Sequence, residues 1–132
     1  TIFCVTSDGE INEGSTWEAA LFIAHHQLKN VVWLIDRNRL QGFGKTEEVM
    51  HLDPLDKKLE AFGFDVMEIN GHDFSALDQV KAQYPTFSKP LVVICNTTKG
   101  HGWAKYEGMV DCHYLPMKDE DFEQLSAYVD SH

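Results

Sequence analysis

The sequence has few cysteines and no long apolar run. Its 132 residues include three cysteines, and none of them forms a C-x-x-C pair. An odd cysteine count in a chain of this size argues against a disulfide scaffold and predicts a reducing, cytoplasmic setting. No apolar run approaches the roughly 20 residues that cross a bilayer, so we expect no membrane-spanning segment.

Positive charge is also scarce. Lys and Arg total 11 against 21 Asp and Glu, which gives a formal net charge of −10. A surface of this sign repels phosphate backbones, so we expect no nucleic-acid partner. Hydrophobic residues make up 43% and charged residues 24%, which is typical of a globular chain. A length of 132 residues is sufficient for one domain with a core.

Four short apolar runs predict β-strands: Ile2–Val5, Val31–Ile35, Phe64–Ile69 and Leu91–Cys95. Three of them are apolar throughout, which is typical of strands that are covered on both faces of a sheet. The third run in sequence order is interrupted by Asp65 and Glu68, so we expect it to lie nearer an edge.

Helical patterns separate the predicted strands. Ser15 and Glu18 form an S-x-x-E capping box at the start of a helix that we expect to be largely buried. Asp53 is expected to cap a second helix, which ends at Gly63. Apolar spacing predicts two more helices, around Leu77–Val80–Tyr84 and Phe122–Leu125–Val129. Alternating strands and helices predict an α/β fold with a mostly parallel sheet and helices on both faces.

Polar residues follow the first two predicted strands, where ligands bind in parallel α/β sheets. Asp8 and Gly9 follow the first strand, and Asn38 follows the second. Asp8 and Asn38 offer the hard oxygen ligands that Mg²⁺ prefers, and Gly9 lets the main chain approach a phosphate closely. The residues alone also allow a plain Asp-Gly turn and an Asn that only forms a turn.

The spacing of these residues resembles a known cofactor motif. Asn38 follows Asp8 by 30 residues, and the thiamine-diphosphate motif runs from Gly-Asp-Gly to an Asn at about this separation. Further stretches are similar to transketolase in particular: Asp8-Gly9-Glu10-x-x-Glu13-Gly14-x-x-Trp17-Glu18-Ala19, Leu28-Lys29-Asn30, Asp36-x-Asn38-x-Leu40-Gln41, Pro54-Leu55-x-Lys57, Phe62-Gly63, Ile69-Asn70-Gly71-His72-Asp73 and Thr98-Lys99-Gly100-x-Gly102. The resemblance spans nearly the whole chain and is closest to bacterial enzymes whose two halves are separate polypeptides.

The resemblance implies that residues 1–132 are a single diphosphate-binding domain of a transketolase-like enzyme, in a thiamine-diphosphate-binding fold whose upstream part is missing. It implies transfer of a two-carbon ketol unit between sugar phosphates, as in the pentose phosphate pathway, with thiamine diphosphate and Mg²⁺ or Ca²⁺ as cofactors. A pyrimidine-binding domain or subunit is the implied partner, in a dimer or larger homo-oligomer, and the chain alone would be inactive. Alternatives are another thiamine-diphosphate enzyme, such as deoxyxylulose-phosphate synthase, and an inactive truncated scaffold or regulatory fragment.

The resemblance also assigns the cofactor-binding residues. The side chains of Asp8 and Asn38 and the main-chain carbonyl of Leu40 match the family's metal ligands. Gly9 matches the residue whose backbone N–H binds the diphosphate. Lys99 matches the lysine that reaches the cofactor in some family members.

Two residues match positions that act in catalysis. His113, 14 residues after Lys99, matches the histidine that contacts both cofactor and substrate. Glu13 matches the acidic residue at the subunit interface that couples to the partner's catalytic Glu. The sequence departs from the family pattern at Ser7, which replaces the first Gly of Gly-Asp-Gly, and at Cys112, which replaces a Trp.

Overall fold

The computed structural model describes residues 1–131, and His132, to which the sequence assigns no role, lies outside them. In chain order, the strands of the described part are β1 (Ile2–Ser7), β2 (Val31–Arg37), β3 (Leu40–Gln41), β4 (Gly44–Lys45), β5 (Asp65–Asn70) and β6 (Leu91–Asn96). Its α-helices are α1 (Gly14–His25), α2 (Thr46–Val49), α3 (Leu55–Phe62), α4 (Phe74–Gln83) and α5 (Asp119–Asp130). Short 3₁₀ turns cover Gly9–Asn12, Tyr84–Thr86 and Val110–His113.

The main sheet has the strand order β1-β2-β6-β5, and every neighbouring pair is parallel. β3 and β4 form a separate antiparallel hairpin. Because the four main strands run in one direction, all of them end at the same edge of the sheet, where Ser7 is in register with Asp36 and Arg37 with Asn96. The predicted α/β class with a mostly parallel sheet is confirmed.

Helices cover both faces of the sheet, as the sequence predicts. On one face, α1 and α3 pack on β2 and β6 in a core that includes Leu59, Ile35 and Ile94. On the other face, α4 contributes Val80 to a second core that includes Val93. Each fully buried side chain of this size stabilises the fold by about 1.5–3 kcal/mol.

The two edge strands differ in how well they match the prediction. β5 is an edge strand, as its interrupted apolar run indicates. β1 is the other edge strand, since it pairs on one side only, with β2. It was expected to be covered on both faces, and the exposure of its side chains shows that this is wrong for the described residues. Its side chains Ile2, Phe3 and Val5 are 57%, 61% and 69% exposed.

The predicted capping box at the start of α1 does not form. The helix begins at Gly14 with Glu13 at the N-cap, and no side chain within the described residues caps it. Ser15 therefore lies inside the first helical turn. It is not at the N-cap position, from which its side chain would accept the N–H of Glu18 in a capping box. The preceding 3₁₀ turn sets the start of the helix, because the hydroxyl of Thr16 donates a hydrogen bond to the carbonyl of Glu10 at 2.7 Å.

α1 is also less buried than its composition indicates. Ala20 and Ala24 are buried against the sheet, whereas Leu21 and Phe22 are 58% and 59% exposed. The helix carries apolar side chains on several of its faces, and in the described chain the sheet covers only one of these faces. The expectation of a largely buried helix is therefore wrong for this chain.

α3 ends as predicted but begins differently. Gly63 adopts a left-handed φ of 106° directly after the last turn, a conformation that Gly adopts without a steric penalty. The helix begins at Leu55 with Pro54 at the N-cap, so the cap expected at Asp53 does not form within residues 1–131. The carboxylate of Asp53 forms an ion pair with Arg37 instead, because the Arg37 residue is 8% exposed and its buried charge needs a charged partner.

The last two helices lie where apolar spacing predicts them. In α4, the carboxylate of Asp73 caps the first turn by accepting the N–H of Ser75 at 2.8 Å. The α4 helix ends at Gln83, just before Pro85. Within residues 1–131, no helix combines the length and the apolar character needed to cross a membrane.

Candidate functional site

The loops that follow β1, β2 and β6 enclose a cleft of about 530 Å³ at the carboxyl edge of the sheet. Parallel sheets bind ligands at this edge because the loops after adjacent strands meet there. Six of the seven site residues expected from the sequence line the cleft: Gly9, Glu13, Asn38, Leu40, Lys99 and His113.

The seventh expected residue, Asp8, is buried beside the cleft and is 1% exposed. Its Oδ2 accepts hydrogen bonds from the N–H of Arg39 at 2.6 Å and from the hydroxyl of Thr46 at 3.1 Å. Its Oδ1 is buried and has no partner within residues 1–131. Burial raises the pKa of Asp8, and the negative charge of Asp36 adds to the effect. A buried carboxylate with one unpartnered oxygen has the character of a cation ligand.

Asn38 forms a turn and still offers an oxygen. Its amide oxygen accepts the N–H of Leu40 at 2.9 Å, and its amide nitrogen donates to Asp36 at 3.3 Å. The bond to Leu40 folds the main chain back beside the side chain, which places the Leu40 peptide at the same cleft. An amide oxygen has two acceptor sites, so the turn leaves one of them free.

The donor types at this edge fit a hard divalent cation. Residues 1–131 hold no group of three or more His, Cys, Asp or Glu side chains suited to a metal. The set at the cleft is instead one carboxylate, one amide oxygen and one main-chain carbonyl. Mg²⁺ is commonly bound by few protein oxygens, with phosphate and water completing its shell. The residues present therefore fit a metal diphosphate.

The turn that carries Asp8 and Gly9 is closed by a capping box that the sequence analysis missed. The N–H of Ser7 donates to Oε2 of Glu10 at 2.8 Å, and the N–H of Glu10 donates to Oγ of Ser7 at 3.3 Å. The Ser7 hydroxyl also lies 3.2 Å from the same carboxylate oxygen. The signal was present, because Ser7 and Glu10 have the same S-x-x-E spacing as the box predicted further along the chain.

Ser7 fits where the related motif has Gly. Within the described residues, positive φ angles outside glycine occur at Gln27 and Arg39. Ser7 therefore has an ordinary strand conformation and incurs no left-handed strain. The replacement adds the hydroxyl that closes the turn.

Lys99 and His113 meet at the other side of the cleft. Nζ of Lys99 lies 3.3 Å from Nδ1 of His113, and both side chains belong to the loop between β6 and α5. Beside His113, the thiol of Cys112 lies 3.8 Å from the carbonyl of Tyr106, so this departure from the family pattern is a packing residue of the loop. Glu13 is exposed at the N-cap of α1.

Three residues of the site were not predicted. Asp36 lies between the metal-ligand candidates and the β6 loop, because its two oxygens accept hydrogen bonds from Asn38 and from the hydroxyl of Thr97. The amide nitrogen of Gln41 is buried in the cleft wall without a partner in the described chain. Asp36 and Gln41 both carried a sequence signal, in the Asp36-x-Asn38-x-Leu40-Gln41 stretch of the family resemblance, whereas Thr97 carried none.

Comparison with known proteins identifies the family. Residues 1–130 match the family described as transketolase, thiamine diphosphate binding domain. The chain is 45% identical over 123 residues to an apulose-4-phosphate transketolase subunit of Actinobacillus succinogenes, covering 92% of this chain and 44% of that protein. It is 36% identical over 131 residues to a 6-deoxy-6-sulfo-D-fructose transketolase subunit of Clostridium sp., covering 96% of this chain and 46% of that protein.

Solved transketolases have the same fold. The structure from Campylobacter jejuni aligns with a TM-score of 0.89 at 28% identity, covering 97% of this chain and 20% of that one. The structure from Leishmania mexicana aligns with a TM-score of 0.85 at 26% identity, covering 96% and 19%. The chain thus spans less than half the length of these curated relatives and about a fifth of these solved structures. On this evidence, the chain belongs to the transketolase family and matches its thiamine diphosphate binding domain.

Proposed function

We propose that the chain holds the metal diphosphate of thiamine diphosphate in an enzyme that transfers a two-carbon ketol unit between sugar phosphates. The observation that carries this proposal is the free, buried Oδ1 of Asp8 beside a cleft lined by the six other expected residues. The relatives' names favour transketolase chemistry over that of deoxyxylulose-phosphate synthase or of an inactive scaffold.

In this proposal, Asp8, Asn38 and the carbonyl of Leu40 bind Mg²⁺ or Ca²⁺, and the N–H of Gly9 donates to the diphosphate. The ammonium of Lys99 adds positive charge next to the phosphate oxygens, which a chain of net charge −10 needs locally. When bound, thiamine diphosphate supplies the carbon nucleophile that carries the two-carbon unit. The protein side chains hold it, orient it and exclude water.

The contact between Lys99 and His113 defines which proton the imidazole can offer. A lysine ammonium only donates, so Nδ1 of His113 accepts across the 3.3 Å contact. The neutral ring then carries its proton on Nε2, where it can donate to a hydroxyl of the sugar or take part in proton transfer. We therefore assign His113 as the acid–base residue of this half of the site.

The proposal includes a partner. The relatives are named as subunits, and a pyrimidine-binding domain or subunit with the catalytic Glu would face Glu13. The exposed side chains of Leu21 and Phe22 on the same helix support a junction there and a dimer or larger assembly. The free thiols of Cys4, Cys95 and Cys112 support a cytoplasmic setting.

Calorimetry of thiamine diphosphate binding tests the metal assignment. We expect binding by the intact protein with Mg²⁺ or Ca²⁺ and loss of binding with excess chelator. Asp8→Asn keeps an oxygen for Arg39 and Thr46 but removes the charge. Since loss of an outer-shell partner already weakens metal sites 10–100-fold, we expect at least about tenfold weaker binding.

The matched control is Asp78→Asn, which removes the same charge from an exposed position of α4. Its binding should equal that of the wild type. Equal binding with and without chelator, or an Asp8→Asn variant as tight as the control, would contradict the metal assignment.

A further inference from the structure

Asp121 lies in the first turn of α5, yet it is 3% exposed, while its neighbours Asp119 and Glu120 are exposed. An acidic residue at this position interacts favourably with the helix dipole. An exposed carboxylate has the same effect, as the two neighbours show, so the dipole does not account for the burial.

Asp121 is buried because it binds two side chains of another segment. One carboxylate oxygen forms an ion pair with the ammonium of Lys105, and the other accepts the hydroxyl of Tyr106 at 2.8 Å. The bond to Lys105, followed by the bond to Tyr106, lowers the pKa of Asp121. The bond to Asp121 raises the pKa of Tyr106 to about 12. Both partners belong to the loop between β6 and α5, so the carboxylate ties this loop to the helix.

The main chain of Tyr106 contacts both arms of the loop. Its carbonyl lies so close to Gly100 that an added Cβ would be 2.6 Å away, and Gly100 has a φ of +76°, so only glycine fits here. The same carbonyl lies 3.8 Å from the thiol of Cys112. Gly100 follows Lys99 and Cys112 precedes His113, so Tyr106 lies between the two residues that meet in the cleft.

Apolar packing joins the loop to α5 at Trp103. An apolar cavity of about 560 Å³ separates the loop from α5, and Trp103, Tyr106 and Leu125 are among its lining residues. On the α5 side, the rings of Trp103 and Tyr128 meet edge-on at 5.3 Å between centroids. Segments with few packed contacts open easily, so the position of the Tyr106 end depends on its polar bonds.

We propose that Asp121 is a positioning residue that, through Tyr106, sets the separation and orientation of Lys99 and His113. The effect of Asp121 on cofactor binding and catalysis rests on the proposed function. Its effect on the positions of the Lys99 and His113 side chains does not. Removing the carboxylate or the phenol hydroxyl releases Tyr106 from α5. Main-chain bonds, such as that from the N–H of Gly108 to the carbonyl of Lys99 at 2.9 Å, then hold the loop without this tie to the helix.

Nuclear magnetic resonance of the intact protein tests the geometry without cofactor. The probe is the nuclear Overhauser effect between the side-chain ε protons of Lys99 and the ring protons of His113. We expect it to be present in the wild type and lost in both Asp121→Asn and Tyr106→Phe. Tyr106→Phe keeps the Lys105 ion pair, so it is informative even where Asp121→Asn folds poorly.

Glu120→Gln is the matched control, since it removes one charge from the same helical turn at an exposed position. Glu120→Gln should keep the nuclear Overhauser effect between Lys99 and His113. The amide signals of β6 should be unchanged in all variants, which shows that the sheet remains folded. An effect retained in Tyr106→Phe, or lost in Glu120→Gln as well, would overturn the proposal.

A second readout connects the geometry to the proposed function. Affinity for thiamine diphosphate with Mg²⁺ should fall about tenfold in Asp121→Asn and be unchanged in Glu120→Gln. A protein that binds no thiamine diphosphate contradicts the proposed function, and the proton contacts still decide whether Asp121 positions the pair. A loss of proton contacts at unchanged affinity overturns the role of the pair in binding.

Discussion

Replacing Ser7 should destabilise the protein, even though the related motif has Gly at this position. Ser7→Ala removes the hydroxyl that accepts the N–H of Glu10 at 3.3 Å and lies 3.2 Å from its carboxylate. The bond from the main chain of Ser7 to Glu10, at 2.8 Å, remains. Loss of a serine cap typically costs about 1 kcal/mol. For a chain of this length, that corresponds to a melting temperature lower by roughly 3–6 °C.

Ser7→Gly should cost more than Ser7→Ala. Gly removes the same hydroxyl and adds about 0.5–1 kcal/mol of backbone entropy in a strand. It offers no relief in return, because positive φ values outside glycine within the described residues are confined to Gln27 and Arg39. We therefore expect the urea midpoint of unfolding to be highest for the wild type, lower for Ser7→Ala and lowest for Ser7→Gly, at an unchanged m-value.

Ser15→Ala is the control that distinguishes the two S-x-x-E patterns. The first turn of α1 has no side-chain cap in the described structure. Ala is the better helix former there, so the substitution should be neutral or stabilising by a few tenths of a kcal/mol. A cost at Ser15 equal to or above the cost at Ser7 would refute the assignment of the capping box.

Three further predictions concern turnover, assembly and pH. His113→Ala should lower turnover of the complete enzyme at least about tenfold with an unchanged circular dichroism spectrum, and wild-type kcat and KM would remove it from the site. Sedimentation should show a dimer or larger species, and Leu21→Gln with Phe22→Gln should shift it toward monomer; a wild-type monomer that binds no apolar dye contradicts this. The folded-state pKa of Asp121 lies below its ordinary value of 3.8. Its contribution to stability is thus present above that value and lost as pH falls through the lowered pKa, so Asp121→Asn should be less stable than wild type near neutrality and approach it at low pH.

Much of the fold follows from local patterns. Short apolar runs locate the four main strands, and the charges Asp65 and Glu68 correctly mark an edge strand. Gly63 correctly ends α3, because its left-handed conformation is a local property of one residue. These features depend on neighbours in sequence, so spacing and residue type are sufficient to predict them.

Capping residues were harder to predict, because a four-residue pattern does not say where the helix begins. The chain contains S-x-x-E at Ser7 and again at Ser15, and the structure uses the first. The choice depends on where β1 ends and on the bond from Thr16 to the carbonyl of Glu10. Likewise, Asp53 is diverted from α3 by Arg37, which lies 16 residues earlier in the chain.

The burial of β1 and α1 was overestimated for a related reason. Composition indicates that a segment must be covered, but not by what. Phe3 and Val5 on β1 and Leu21 and Phe22 on α1 are apolar and exposed within the described chain. The apolar character of β1 and α1 was read correctly from the sequence. Their burial could not be, because it depends on which other segments pack against them.

The order of the strands explains why residue types and spacing predicted one side of the candidate site, at Asp8 and Asn38, but not the other, at Lys99 and His113. Asp8 and Asn38 follow strands joined by one crossover, and such strands are commonly neighbours, so their convergence was predictable. Lys99 follows β6, which lies beside β2 and pairs Arg37 with Asn96 in register. Because of this pairing, the hydroxyl of Thr97 donates a hydrogen bond to Asp36, and Lys99, two residues further on, lies in the cleft. The charges in β5 mark it as an edge strand, but no local pattern encodes that β6 lies directly beside β2. Lys99 and His113 could therefore be assigned only through the family resemblance, and the strand order gives that assignment its physical reason.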